Sequence, residues 1–414
     1  MTEGPASLHP TVPHRIGPRP LGLHLGLASA TLGTALANLP LAREGHLPWI
    51  RDLREEGARV GSDLQAFDLA DCLTEVGAKG QHLVSEMLAG ITKYHAHPYQ
   101  RNVQTPAAIW QKGAACLLDY GADLPADVPV AFIVPSLVNR GYILDLSEER
   151  SFVRALTAAG IRPFLIDWGD PGEQERDYGT EDYIVQVLVP ALETVTEICG
   201  KSPVHLMGYC MGGTLTVAQA LLQQEKLASL ITLASPWNFH AGLSNAARML
   251  LGSNNTWEPV LNACDELPVD LLQSFFAALD PNLCLRKFGL FNRMDMDGAK
   301  AAEFVALEDW LNDGVPLVKQ VARDCFSGWY GENSPYLGKW QISGMQICPQ
   351  NITIPTLVAV PKSDKIVPAG SALGLAEQVH HATVITPPSG HIGMVAGGRA
   401  RDGLWAEIIE WIKA

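Results

Sequence analysis

Gly208-Tyr209-Cys210-Met211-Gly212-Gly213 sets a cysteine among small residues, directly after the apolar run PVHLM and directly before the helical pattern TLTVAQALLQQ. Strand, sharp turn, helix is the context of a nucleophile elbow, a strained turn that presents a reactive atom at the end of a strand. Glycine at 208 and 212 fits, because side chains two residues either side of the nucleophile would collide with the crossing strand and helix. A buried structural cysteine in an ordinary turn is the bland alternative, so partners must decide. In such turns the order along the chain is nucleophile, acid, base. Asp364 comes just past the apolar run TLVAV, and His391, in PPSGHIGMVAGG, follows the run ATVIT. Taken singly, Asp364 reads as a turn cap and His391 as a helix cap. Together, in order and at strand ends, Cys210, Asp364 and His391 read as a nucleophile, acid and base. An oxyanion hole is expected from the backbone N–H of Met211 and a second N–H in the loop Pro135-Ser136-Leu137-Val138-Asn139-Arg140, with Val138 the favoured donor. Arg140 reads as an anchor for an anionic substrate group or as a surface ion pair, the commoner fate.

Elements must hold these residues in place. VAFIV (130–134), RPFLID (162–167), PVHLMG (203–208), LITLA (230–234), TLVAV (356–360) and ATVIT (382–386) are short apolar runs, several separated by helical stretches such as 148–159 and 181–199. Apolar runs without alternation mark parallel strands covered on both faces. The repeating order predicts an α/β fold with an open, mostly parallel, doubly wound sheet, whose C-terminal strand edge gathers functional groups. Residues 240–349 break the rhythm with helical patterns and predict an inserted helical cap. The expected organisation is therefore a disordered Pro-rich tail (1–20), an N-terminal helical arm (21–124), a first core part (125–240), a cap (241–349) and a second core part (350–414). The last helix, about 401–413, is expected to pack on the sheet. Cap aromatics such as Trp257, Phe275, Phe276, Trp310 and Trp329 read as core rather than channel lining.

Residues 21–42 hold no Asp, Glu, Lys or Arg. The stretch is long enough to span a bilayer, but Gly, Ser, Thr, Asn38 and His24 dilute it and no basic cluster flanks it. It reads as a helix on the protein's own core, or as an apolar face for a hydrophobic granule or a partner helix. His95 and His97 stand two apart, a spacing that can ligate metal on a strand, yet no Cys or carboxylate nearby completes a set and Pro98 suggests a turn.

Lys+Arg 30 against Asp+Glu 44 gives a net charge of −14, which argues against non-specific nucleic-acid binding. Eight cysteines are scattered without a C-x-x-C pair, as expected of free thiols in a reducing compartment. With no signal-peptide pattern at the N-terminus, the expected location is the cytoplasm. No phosphate loop, dinucleotide fingerprint or metal set implies a cofactor.

Together these residues resemble the polyhydroxyalkanoate synthase family. The matching pieces are VPSLVNRGYILDL (134–146), IDWGDP (166–171), GYCMGGT (208–214), the Asp-x-Ile-Val-Pro of 364–368 and GHIGMVAG (390–397), with WQKGAACLLDYG (110–121) and ASPWNFHAG (234–242) similar too. The resemblance covers roughly residues 94–412 and implies an α/β-hydrolase fold with a cap over a buried channel. It implies Cys210 as nucleophile, His391 as base and Asp364 as a group that helps the base activate an incoming 3-hydroxyl. The implied substrate is a 3-hydroxyacyl-CoA thioester, polymerised with release of CoA, so that CoA enters as substrate and not as a cofactor. Implied partners are the growing polyester, a granule surface, and a second synthase subunit or a second copy of the chain. Many family members carry His after this Asp, where this chain has Lys365. Related intracellular depolymerases and thioesterases can run through the same acyl-enzyme, so the triad alone does not separate ester synthesis from hydrolysis. A granule-associated scaffold with a decayed site is a third reading, disfavoured by the intact Cys210, Asp364 and His391.

Overall fold

Strands whose residues are apolar at every position can be buried on both faces, and the central strands here are. In the computed structural model, which describes residues 14–200, 202–243, 249 and 251–414, all five residues of β3 (Val130–Val134) are buried. Burying each Val, Ile or Phe contributes about 1.5–3 kcal/mol relative to leaving it exposed. The other strands are β1 (Ala108–Lys112), β2 (Ala115–Asp119), β4 (Arg162–Asp167), β5 (Val204–Tyr209), β6 (Leu227–Leu233), β7 (Thr356–Ala359) and β8 (Thr383–Ile385). They form one eight-stranded sheet in the order β1-β2-β4-β3-β5-β6-β7-β8. The pairs from β4 to β8 are parallel, while β1–β2 and β2–β4 are antiparallel. This is the mostly parallel α/β sheet expected. The C-terminal helix Ala406–Lys413 buries Ile408 and Ile412, and Trp411 Nε1 donates to Ser229 Oγ of β6 at 3.3 Å.

The chain divides into two units. Residues 101–272 and 313–414 hold the sheet. The hairpin β1–β2 belongs to it, turning at Gly113 with φ +58°, so the range 21–124 expected as a helical arm ends in two strands. Helices in that range run only to Ala96. β1 is an edge strand with four of its five residues exposed, so the hairpin carries a weaker apolar signal than a buried parallel strand and escapes a reading based on continuous runs.

The other unit comprises residues up to 100 together with 273–312. It contains α1 (Leu21–Arg43), α2 (Arg54–Gln65), α3 (Leu69–Ala96), α4 (Leu283–Asn292) and α5 (Ala299–Asn312). The middle of the stretch expected as a cap, 273–312, thus clusters with the N-terminal helices, while the rest of its described residues cluster with the sheet. Residues 244–248 and 250 of that stretch lie outside the described residues. Met87, Ile91 and Tyr94 of α3 share an apolar cluster with Phe288, Phe291 and Val305. Gly90 of α3 faces the Phe288 backbone, where a Cβ would collide. α2 and α3 are separate because Asp68 caps α3, accepting from Ala70 N–H at 2.8 Å.

The expected tail lies outside the described residues up to 13. From residue 14 the chain is engaged: buried Arg15 pairs with Asp309 at 2.8 Å and donates to the carbonyls of His97 and Tyr99. His95 and His97 each spend a ring nitrogen on a backbone carbonyl, Gly17 at 2.7 Å and Met296 at 2.9 Å. α1 is long and apolar enough to cross a membrane by length and composition, and its most apolar window is only 11% buried.

Candidate active site

Cys210 terminates β5 and starts the helix Met211–Gln223 in a single residue, at φ 55° and ψ −127°. An L-residue is strained there, and such strain persists only where surroundings enforce it. They do: Cys210 N–H donates to Leu233 O of the neighbouring strand at 2.9 Å, and Gly213 N–H closes the turn onto Cys210 O at 3.0 Å. A Cβ on Gly208 would strike Gly213 and Thr216, one on Gly212 the carbonyls of Val134 and Pro135, and one on Gly213 the Ser235 side chain. Three positions therefore require glycine; the third, Gly213, is invisible to a pattern that counts only two residues either way.

Asp364 lies five residues past the end of β7, and His391 six past the end of β8. Both loops leave the same C-terminal edge as the elbow. His391 Nδ1–H donates to Asp364 Oδ2 at 2.7 Å, with both side chains buried. Asp364 Oδ1 accepts from Ile366 N–H at 2.8 Å and Val367 N–H at 2.9 Å. The His391 ring also has Cys210 as a side-chain hydrogen-bond partner. Burial alone would lower the imidazole, but the Cys210 charge and the bonds to Asp364 and Cys210 outweigh it and raise His391 to about 10. Such a cluster can hold a proton on His391 beside a sulfur nucleophile.

Met211 is the first residue of its helix, so its N–H is among the donors that no intrahelical carbonyl can take. Val138 N–H instead donates to Ser136 Oγ at 3.2 Å, an engagement that would have to open before it met a substrate oxygen. Arg140 pairs with Asp170 at 2.7 Å and Asp313 at 3.3 Å. Lys365 stands exposed beside Asp364. Trp329 and Trp257 pack as core, on Phe239 and Phe326 respectively. Among the described residues no group of three or more His, Cys, Asp or Glu could hold a metal.

Two tyrosines that sequence reasoning missed feel the charge of the site. Tyr209 lies against His391 with ring centroids 5.2 Å apart, and its hydroxyl donates to the His391 carbonyl at 3.3 Å. Burial, then the charges of Cys210 and Asp364, hold its phenol neutral far above the ordinary range. Its signal was adjacency to the nucleophile. Tyr330 is likewise raised, by burial and then by Cys325 and Cys210; nothing in the sequence ties it to position 210.

The α/β hydrolase fold family matches residues 137–397. Curated relatives at similar identity span most of the chain. The poly(3-hydroxyalkanoate) polymerase subunit PhaC of Synechocystis is 30% identical over 315 residues, 74% of this chain and 83% of that protein. The protein of the same name from Haloarcula marismortui is 29% identical, covering 74% of this chain and 67% of the relative. That from Thiocystis violacea is 28% identical, covering 85% and 98%.

Proposed function

The chain belongs to the poly(3-hydroxyalkanoate) polymerase family, acyltransferases with the α/β-hydrolase fold, and on that premise we propose that it polymerises 3-hydroxyacyl-CoA through Cys210, His391 and Asp364. Cys210 sulfur attacks the thioester carbonyl, and the tetrahedral oxyanion is held by Met211 N–H and, once freed from Ser136, by Val138 N–H. Collapse expels CoA thiolate, which takes the proton held on His391, and leaves an acyl-enzyme thioester. One thioester replaces another, so the acyl group stays activated; an oxyester on serine would be a deeper trap. A 3-hydroxyl then gives its proton to His391, helped by Asp364, and its oxygen attacks an acyl thioester, lengthening the ester chain and regenerating the thiol. Water must be excluded for this outcome to beat hydrolysis.

The observation that carries the reading is the buried His391–Asp364 pair at 2.7 Å with Cys210 acting on the same ring. No cofactor is needed for these steps; CoA is the leaving group. The relatives are named as subunits, which supports a working form with a second synthase subunit or a second copy. A cytoplasmic enzyme at the surface of its polymer granule is the location this chemistry favours, with the exposed apolar α1 as the contact.

Purified protein supplied with 3-hydroxybutyryl-CoA tests the reading. CoA release with insoluble polymer is expected, and Cys210→Ala should abolish both. CoA release with free acid as the sole product would identify a hydrolase instead.

A further inference from the structure

Cys210, Asp364 and His391 come from strands that are not all neighbours. In the order β5-β6-β7-β8 the acid and base loops leave adjacent strands, while the nucleophile strand stands two and three places away. The acid and base loops are stitched to each other. Lys362 N–H donates to Pro387 O and Ser363 N–H to Ser389 O, both at 3.0 Å, and His391 Nδ1–H donates to Asp364 Oδ2 at 2.7 Å. Acid and base therefore form one body. Those bonds do not set its distance from Cys210, and β6 lies between them in the sheet.

Tyr209 spans the gap. It ends β5 opposite Leu233 of β6, whose carbonyl accepts from Cys210 N–H, so tyrosine and nucleophile share one anchor. Its buried ring lies against the His391 imidazole, with centroids 5.2 Å apart and planes 34° apart, inside the range of a favourable aromatic pair. Its hydroxyl donates to the His391 backbone carbonyl at 3.3 Å. Most O–H···O bonds are about 2.5–3.0 Å long, so the packed ring is the firmer restraint. One handle bears on the side chain of His391 and the other on its main chain, and together they oppose both tilt and drift.

We propose that Tyr209 is a positioning residue for the reaction, setting the distance and tilt of the His391 ring relative to Cys210, while Asp364 sets the tautomer. This rests on the acyltransferase reading of Cys210, His391 and Asp364. Proton transfer between the imidazole and the sulfur requires hydrogen-bond reach, and a misplacement of about 1 Å costs on the order of 100-fold in rate. Tyr209 acts through His391, so its loss falls on kcat and not on KM.

Tyr209→Phe deletes the weak hydroxyl bond and keeps the ring, whereas Tyr209→Met replaces the ring with a flexible chain. With 3-hydroxybutyryl-CoA, kcat should fall about 2–5-fold in the first and about 10–100-fold in the second, with KM changed less than about 2-fold. Alkylation of Cys210 by iodoacetamide, followed by peptide mass mapping, should slow in the same order, because the thiolate is the reactive form and His391 holds its proton. The low-field NMR signal of the His391–Asp364 hydrogen bond should persist in both variants. A loss confined to KM, or a kcat for Tyr209→Met within about 3-fold of the parent, overturns the proposal. Disappearance of the low-field signal along with the rate also overturns it, since the acid–base pair itself would then have collapsed. If Tyr209→Met does not fold, Tyr209→Phe decides: alkylation slowed at least about 2-fold at unchanged KM supports the role, and unchanged alkylation overturns it. If the unmodified protein releases no CoA, the acyltransferase reading fails by itself, and alkylation, which needs no substrate, still judges Tyr209.

Discussion

His391 and Asp364 are joined by a 2.7 Å hydrogen bond in which only one carboxylate oxygen faces the ring, the other being held by the N–H groups of Ile366 and Val367. The carboxylate cannot rotate without breaking those bonds, so Nδ1 keeps the proton and Nε2 is left for Cys210. Asp364→Asn would favour the opposite tautomer by offering an N–H to Nδ1. Acylation should fall about 10³–10⁴-fold with the fold intact. A loss under about 10-fold, measured as first-turnover CoA release on a variant with unchanged circular dichroism, would take Asp364 out of the acylation step.

His391 has a pH signature of definite sign. Its value rises from 6.5 to about 10, burial opposing and the Cys210 and Asp364 interactions prevailing. A raised group contributes stability that is fully present below the unfolded value and is lost as pH climbs through the folded one. The contribution should therefore be complete below 6.5 and gone above about 10. Cys210→Ala removes the largest raising influence, so its His391 should titrate lower than in the unmodified chain. Side-chain NMR of labelled histidine reads both proteins; identical titrations would mean that Cys210 does not act on the ring.

Gly212→Ala tests the frame separately from the chemistry. The new methyl would run into the Val134 and Pro135 carbonyls, which belong to a buried strand end and cannot withdraw. A loss of about 2–4 kcal/mol is expected from such overpacking, read from urea denaturation midpoints. Unchanged stability would show that helix and strand are free to separate at the elbow.

α1 supplies the granule test. Ala30 and Ala37 are exposed, so Ala30→Glu with Ala37→Glu adds charge without disturbing buried contacts. Co-sedimentation with polymer granules should drop several-fold as the apolar face is interrupted. Unchanged partitioning would take α1 out of granule contact.

Much of the core was legible because its strands are buried on both faces. β3 and β4 begin and end where their apolar runs do, and β5 to β8 lie within a few residues of theirs. The elbow was legible because its glycines answer to sterics at fixed offsets. Other features have no local signal. Asp145 is wholly buried and accepts from Ser151, Arg154 and Tyr120, partners that only the folded chain assembles. The Tyr330 carbonyl is tied to the loop after β6 by a bond from His240, and the occupation of Val138 N–H by Ser136 depends on the turn between them. The grouping of 273–312 with α1–α3 rests on contacts such as Gly90 with Phe288, which a helical pattern cannot express.

The left-handed backbone at Cys210 separates where the nucleophile stands from what it is. Every atom that enforces φ 55° belongs to other residues: Leu233, Gly208, Gly212 and Gly213. Sulfur and oxygen are therefore interchangeable as far as the scaffold is concerned, and Cys210→Ser should fold as well as the parent. The difference between handing an acyl group onward and keeping it then lies in one atom's leaving-group ability, a property of the periodic table that the surrounding architecture merely puts in the right place.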